Sequence, residues 1–363
     1  MPHLFVDISS HGFGHLAQVA PVLNALAARL PTLRLTIRSG LNIAHLQTRL
    51  TPKFTHVAAA TDFGYLMHDA IRIDLPATAA AYRELHADWT ARVGNEADFL
   101  TSLQPDLLLS DVSYLPLAGA AQAGIPAWAM SSLNWAELFA HYFSDASWAA
   151  PIHCQILAAY NSAECFLRLS PGMPMDDLQR VHSLGPVAGL GKDCRSALRE
   201  QLGCAPHERL VLIAFGGFSK RLPMESWPHI EGIRWLVHEN WRLAHVSATA
   251  FEPLDRPFVD LLRSVDAVIT KPGYGLFSEA GCNGTPVLYV RREDWPEEDC
   301  LIDWLARNGR CREISATDLL AGRVATPLGE LWQQPVPVMP DPTGAEEAAE
   351  LIVSRLTAGN RNA

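Results

Sequence analysis

Apolar and polar positions along the first half of the chain switch repeatedly between two periods. "HLFVDIS" (3–9) is a compact apolar run, and "LAQVAPVLNALAARL" (16–30) then sets Leu16, Val19, Leu23 and Leu26 on one helical face. "LRLTIRS" (33–39) and "FTHVAAA" (54–60) read as strands, 77–103 as one long helix, and "DLLLSD" (106–111) as a short apolar strand. The Ala-rich helix "LAGAAQAG" and the strand "PAWAMSS" follow. The second half repeats the scheme. "RLVLIAFGG" (209–217) and "RLAHVSA" (242–248) read as strands, then "FVDLLRSV" as helix, "DAVIT" as strand, "GLFSEAGCNG" as helix and "PVLYVRR" as strand. "DCLIDWLARNG" and "AEEAAELIVSRLTAG" are predicted as closing helices. Apolar strands alternating with amphipathic helices predict α/β architecture, with doubly wound parallel sheets covered on both faces.

Between the halves lies "LGPVAGLGKD" (184–193), whose glycines and proline suit a linker. The expected division is 1–186 and 187–363, two Rossmann-like domains facing a central cleft, with the last helix free to cross back. In open α/β sheets ligands meet the carboxyl ends of strands and the N-termini of helices.

A length of 363 residues suits two domains, and a 48% hydrophobic composition suits sizeable cores. The formal charge of −10, with no Lys/Arg block, argues against nucleic acid as a main partner. Seven scattered cysteines without a Cys-x-x-Cys pair read as reduced thiols. "MPHLFVDIS" enters a strand at once, with no basic stretch leading an apolar core, and no apolar run is long enough to span a bilayer. A cytoplasmic protein is expected, with membrane contact at most peripheral.

Three stretches carry candidate chemistry. "SSHGFGHL" follows a strand and opens a helix. Gly12 and Gly14 let backbone N–H groups approach a ligand, and His11 or His15 suits a general base near neutral pH. It is not the dinucleotide fingerprint, because a third glycine is missing. Two imidazoles without acidic or cysteine partners at ligand spacing make a poor metal site. The plainer reading is a capping turn with incidental histidines. In "DAVITKPGYGLFSEAGCNGTPVLYVRREDWPEED" (266–299), Gly273 and Gly275 flank a turn at a helix N-terminus suited to a diphosphate. Glu279, one turn on, could accept hydrogen bonds from a ribose diol; otherwise it is a solvated helix residue. In "AFGGFSKR" (214–221), Gly216 and Gly217 end a strand, and Ser219, Lys220 and Arg221 add a hydroxyl and two cations beside a bound diphosphate; otherwise this is a surface loop. Asp111, ending another strand of the first sheet, is the next carboxylate to consider as base.

Together "HGFGH", "GIPAWAMSSLNW", "LGPV", "FGG" and "KPGYGLFSEAGCNGTPVLYVRRED" resemble glycosyltransferases of the GT-B fold. The resemblance is nearest to the glycosyltransferase-like segment of plant L-arabinokinases and their bacterial stand-alone relatives. It spans residues 3 to about 310 in order. It implies His15, in the Gly14–His15 pair, as the base that deprotonates an acceptor, with His11 second. It implies Glu279 on the donor ribose, with Gly273, Tyr274, Gly275 and Ser278 on the donor side; the plant-type histidine before these glycines is replaced by Lys271, which could still face the phosphates. Asp294 matches the residue on the donor sugar, although Asp294–Trp295 replaces the family's Asp-Gln pair, and Glu297 or Glu298 could substitute. Gly12, Phe13, Gly14, Asn134 and Trp135 fall on the acceptor side.

The expected function is transfer of a sugar from a nucleotide-diphosphate sugar, UDP being the first expectation, to an unidentified small-molecule acceptor. The outcome is inverting, and without an Asp-x-Asp motif no metal or other cofactor is required. The rivals are a nucleotide-sugar hydrolase of the same fold, such as that of pseudaminic acid biosynthesis, and a non-catalytic nucleotide-sugar sensor.

Overall fold

The computed structural model describes residues 1–11, 14–68, 72–215, 221–243, 245–292 and 294–359. The chain forms two compact units. The first comprises the segments up to Val187 and returns from Thr343 onward; the second is built on Ala188–Pro342.

The first unit holds seven strands: β1 (His3–Ile8), β2 (Arg34–Arg38), β3 (Thr55–Val57), β4 (Leu107–Asp111), β5 (Ala127–Ser131), β6 (Cys165–Ser170) and β7 (Val181–Pro186). They pair in the order β3-β2-β1-β4-β5-β6-β7, every pair parallel. All residues of β1, β4 and β5 are buried, as a sheet covered on both faces requires. Helices α1 (Gly14–Arg29), α2 (Ile43–Gln47), α3 (Leu75–Ala87), α4 (Trp89–Leu103), α5 (Leu115–Ala123), α6 (Trp135–Phe143) and α7 (Ala149–Ser162) connect them. The Leu16, Val19, Leu23 and Leu26 stripe of α1 is fully buried.

The second unit runs α8 (Arg195–Gln201), β8 (Arg209–Ile213), β9 (Ile233–Val237), β10 (Ala248–Ala250), α9 (Phe258–Ser264), β11 (Ala267–Thr270), α10 (Tyr274–Asn283), β12 (Val287–Tyr289), α11 (Glu297–Asn308), β13 (Cys311–Glu313), α12 (Ala316–Leu320) and α13 (Ala325–Gln333). Its strands form a second parallel sheet, β10-β9-β8-β11-β12-β13. A core of Val211, Ile269 and Leu288 is closed by Trp235 against Trp227, rings 5.4 Å apart. Helix α14 (Gly344–Gly359) packs back on α1 and β7 of the first unit. Among the described residues no helix is long and apolar enough to cross a membrane.

Three sequence expectations need correction. The helix expected over 77–103 is two helices, divided at Asp88, whose φ of −115° and ψ of 37° leave the helical region. Among its described residues "RLAHVSA" joins a strand only at its end: Arg242 has a φ of 46° and closes the 3-10 turn Glu239–Trp241, β9 lies before it, and β10 begins at Ala248. The expected linker begins as β7, an edge strand, where Pro186 removes no needed donor. Beyond it, Gly191 lies so close to the Val259 carbonyl that no side chain fits there.

A buried ion network fastens the first sheet. Arg38 Nε lies 2.5 Å from Asp7 Oδ2, and its two terminal nitrogens donate to Glu96 at 2.6 and 2.9 Å. The guanidinium carbon is 5.1 Å from the Phe5 ring centroid and 5.0 Å from that of Phe99. Burial pulls the Arg38 pKa down, but Asp7 and Glu96 outweigh it and hold the group above the usual guanidinium range. Removing one partner of such a network strands the opposing charge and costs about 3–5 kcal/mol. Glu96→Ala is expected to lower unfolding free energy by about that amount in urea titration; a loss below about 1 kcal/mol would show the network to be weakly coupled.

Candidate active site

The parallel register sets Ile8 beside Asp111 at the carboxyl edge of the first sheet. Just past β1, His15 is the second residue of α1 and is 5% exposed. Its Nδ1 lies 3.3 Å from each oxygen of fully buried Asp111; the hydrogen bond goes to Oδ1, and among the described residues Oδ2 has no hydrogen-bond donor. A donor proton on Nδ1 makes Nε2 the basic nitrogen of the ring. Sequence reasoning named the two residues as alternatives; the fold joins them.

Burial raises the Asp111 carboxyl to about 6, the neighbouring His15 opposing the shift and Asp62 and Asp7 adding to it. The next residue, Val112, has a φ of 63°, a left-handed conformation unfavourable for a β-branched side chain. Tyr160 holds it there, its hydroxyl donating to the Val112 carbonyl at 2.5 Å. Backbone strain of this kind concentrates at functional sites.

The loop after β3 closes round these groups. Thr61 donates to Asp7 Oδ1 at 2.7 Å, Ser9 to Asp62 Oδ1 at 3.0 Å, and Trp135 Nε1 to Asp62 Oδ2 at 2.9 Å. Burial raises the Asp62 carboxyl, while Trp135 and then His15 oppose the shift. His11 Nε2 donates to the Tyr65 carbonyl at 3.0 Å, and a side chain at Gly64, whose φ is 58°, would strike the His11 ring. The Trp135 ring centre is 5.5 Å from that of His11 and 6.0 Å from that of His15. His11 thus shapes a loop. Asn134 caps α6, accepting from Glu137 N at 2.9 Å and donating to Glu137 Oε2 at 2.9 Å. Asp62 escaped sequence reasoning: it sits in the polar connection "TDFGY", and only the fold brings it to Trp135.

In the second unit, the turn between β11 and α10 carries Lys271 and Gly273. Gly273 occupies the N-cap without a side-chain cap, and the space where its Cβ would stand is open. Backbone N–H groups at such an uncapped start attract anions. Burial, then the Arg292 charge, pull Lys271 down to about 7. Arg292 itself is bound to Glu298 at 2.6 Å and donates to the Pro272 carbonyl at 2.7 Å, so Glu298 serves this turn. Glu297 Oε2 accepts from Trp295 at 3.1 Å, while Asp294 is exposed. Tyr274 and Gly275 are buried, and Ser278 donates back to the Tyr274 carbonyl at 2.8 Å.

Glu279 is 3% exposed, so it is not a solvated helix residue. The linker lies against it: a Cβ at Gly189 would be 3.6 Å from Glu279 Oε1, and Asn283 donates to the Gly189 carbonyl at 2.8 Å. Arg221 donates to the Trp241 carbonyl at 2.8 Å and pairs with Glu225. The proposed site residues Gly12, Phe13, Gly216, Gly217, Ser219 and Lys220 lie outside the described residues. Among the described residues, no cluster of His, Cys, Asp or Glu is placed to hold a metal ion.

No protein-family model matches the chain. An L-arabinokinase of Arabidopsis thaliana is 26% identical over 325 residues, 87% of this chain and 31% of that protein, so the chain spans less than a third of the relative's length. Among solved structures, the glycotransferase of kitacinnamycin superposes with a TM-score of 0.64 at 17% identity, over 98% of this chain and 95% of its own. Arabidopsis thaliana UGT89C1, solved with UDP, gives 0.60 at 16% identity, over 98% and 100%. The chain has their fold, two Rossmann-like parallel-sheet domains in the GT-B architecture.

Because the Asp111 pKa is raised, stability is fully present below its ordinary value near 4 and is lost as pH rises towards 6. Asp111→Asn is therefore expected to exceed the wild type in unfolding free energy by on the order of 3 kcal/mol at pH 7, the gap opening between about pH 4 and 6. Denaturant melts across that range check it; a gap that does not change with pH would mean that Asp111 is not a strained charge.

Proposed function

We propose that the chain is a glycosyltransferase that moves a sugar from a nucleotide-diphosphate sugar to an acceptor hydroxyl. The observation that carries the reading is the buried His15–Asp111 pair at the end of the first strand. In this reading Asp111 fixes the Nδ1–H tautomer, and His15 Nε2 takes the acceptor proton. The acceptor oxygen then bonds the anomeric carbon, and the nucleoside diphosphate leaves with the bonding electron pair. A single displacement inverts the anomeric centre. Trp135, fully buried, backs both histidines and holds their rings in place.

The second unit binds the donor. The uncapped α10 amides and Lys271 meet the diphosphate, and Glu279 accepts from the ribose diol. Charge on the leaving group is thereby stabilised without a metal ion. The UDP bound to UGT89C1 favours a uridine donor.

The test is a panel of nucleotide-sugars and hydroxyl acceptors assayed for glycoside formation. His15→Ala is expected to lower kcat by about 10²–10⁴-fold, leaving UDP affinity unchanged. Glu279→Ala is expected to weaken UDP binding by about 1.5–3 kcal/mol in calorimetry. A folded His15→Ala protein that turns over normally would remove His15 from the chemistry. Diphosphate release with water as sole acceptor would identify a hydrolase.

A further inference from the structure

The amino edge of the second sheet, opposite the Lys271–Gly273 turn, encloses a cavity of about 350 Å³. Four arginines line it. Arg209 begins β8, Arg310 precedes β13, Arg263 ends α9, and Arg195 begins α8. Among the described residues two carboxylates, Asp193 and Asp266, line the cavity, which leaves two positive charges in excess in a chain of net charge −10.

The hydrogen bonds show which cations are already engaged. Asp266 Oδ1 is 2.7 Å from Arg195 Nη1 and 3.6 Å from Arg209 Nη1, and its Oδ2 accepts from Leu210 N at 2.8 Å. Asp193 accepts from the Arg195 backbone at 2.9 Å. Arg263 and Arg310 make no side-chain hydrogen bond or ion pair with any described residue. Burial, then the charges of Arg209 and Arg195, pull Arg310 below the usual guanidinium range. Helix ends do not explain the two arginines. The Leu262 carbonyl of α9 is taken by Thr285 at 2.7 Å, and the Val265 carbonyl by Arg195 at 3.2 Å. Trp332 in turn supports Arg209, its ring 5.0 Å from the guanidinium carbon and its Nε1 donating to the Asp266 carbonyl at 2.9 Å.

We propose that this cavity binds a small organic polyanion, its anionic groups held by Arg263 and Arg310 beside the Arg209 guanidinium. The volume is near the lower limit for small-molecule pockets, which suits a metabolite with two or three anionic groups. Planar guanidinium forks hold phosphate and carboxylate in the same bidentate manner, so both ligand chemistries are compatible. The site is separate from the proposed donor turn, and binding there does not depend on transferase activity.

Inorganic pyrophosphate and tricarballylate, which carry the two chemistries, are the probes. The intact chain is treated with phenylglyoxal, with and without each anion at constant ionic strength, and modified arginines are mapped by mass spectrometry. Slowing of Arg263 and Arg310 modification by about tenfold is expected, with the exposed Arg29 of the first unit unaffected. Protection by pyrophosphate alone assigns a phosphate ligand, and by tricarballylate alone a polycarboxylate. Calorimetry in a Lys271→Ala background, which sets aside diphosphate binding at the donor turn, is expected to show affinity reduced by about tenfold or more on adding Arg263→Ala/Arg310→Ala. Unchanged labelling with both anions would overturn the proposal, as would equal affinity in the folded double variant. Wild-type labelling decides the matter if that variant does not fold.

Discussion

Parallel strands buried on both faces leave a chain few places to put chemistry. Every backbone N–H and C=O within such a sheet is committed to a neighbouring strand, and both faces are closed by apolar side chains. Polar groups that must meet a ligand are confined to the edges. Each right-handed strand-to-helix connection delivers its loop to the carboxyl edge. His15 after β1, Asp111 at the end of β4, Asn134 after β5 and Lys271 after β11 all follow from that constraint. The amino edge receives the opposite kind of material, the ends of helices and the first residues of strands, and there the arginines of the second sheet collect.

Three carboxylates converge on the carboxyl edge of β1 and β4, and each is compensated differently. Asp7 is paired with Arg38, Asp62 accepts from a hydroxyl and an indole, and Asp111, among the described residues, is hydrogen-bonded by His15 alone. The charge with least support is the one beside the candidate base. A fully compensated Asp111 would be more stable but less able to respond to charge developing on the imidazole. The held φ of Val112 belongs to the same compromise.

Much of this architecture was legible in the chain. Strands such as "HLFVDIS" and "DLLLSD" are buried on both sides and therefore read as unbroken apolar runs. β9 was not legible, because Arg234 interrupts "IRWLV" with a charge. The structure shows the guanidinium reaching the Leu202 carbonyl at 2.9 Å and Glu208 at 3.2 Å while the strand stays buried. "RLAHVSA" misled in the other direction, since alternation alone does not reveal a residue at positive φ such as Arg242. At the site, His15 and Asp111 could each be found as a strand-end residue. Their pairing could not, because 96 residues separate them and only the β1–β4 register joins them. The arginine cavity left no local trace, its four cations coming from four separate elements.

The return of α14 to the first unit has a consequence for how the polypeptide emerges from a ribosome. Its carboxylate Glu347 accepts from Gly185 N at 2.8 Å, and Arg355 binds Glu164 at 2.7 and 2.8 Å. These partners are synthesised more than 160 residues earlier. The second sheet, complete by Glu313, has all its strands before any residue of α14 exists. During translation the later-made sheet can therefore close first, while the earlier one waits with the α1 surface uncovered. A nascent chain stalled between Glu313 and Gly344 would present that surface to chaperones.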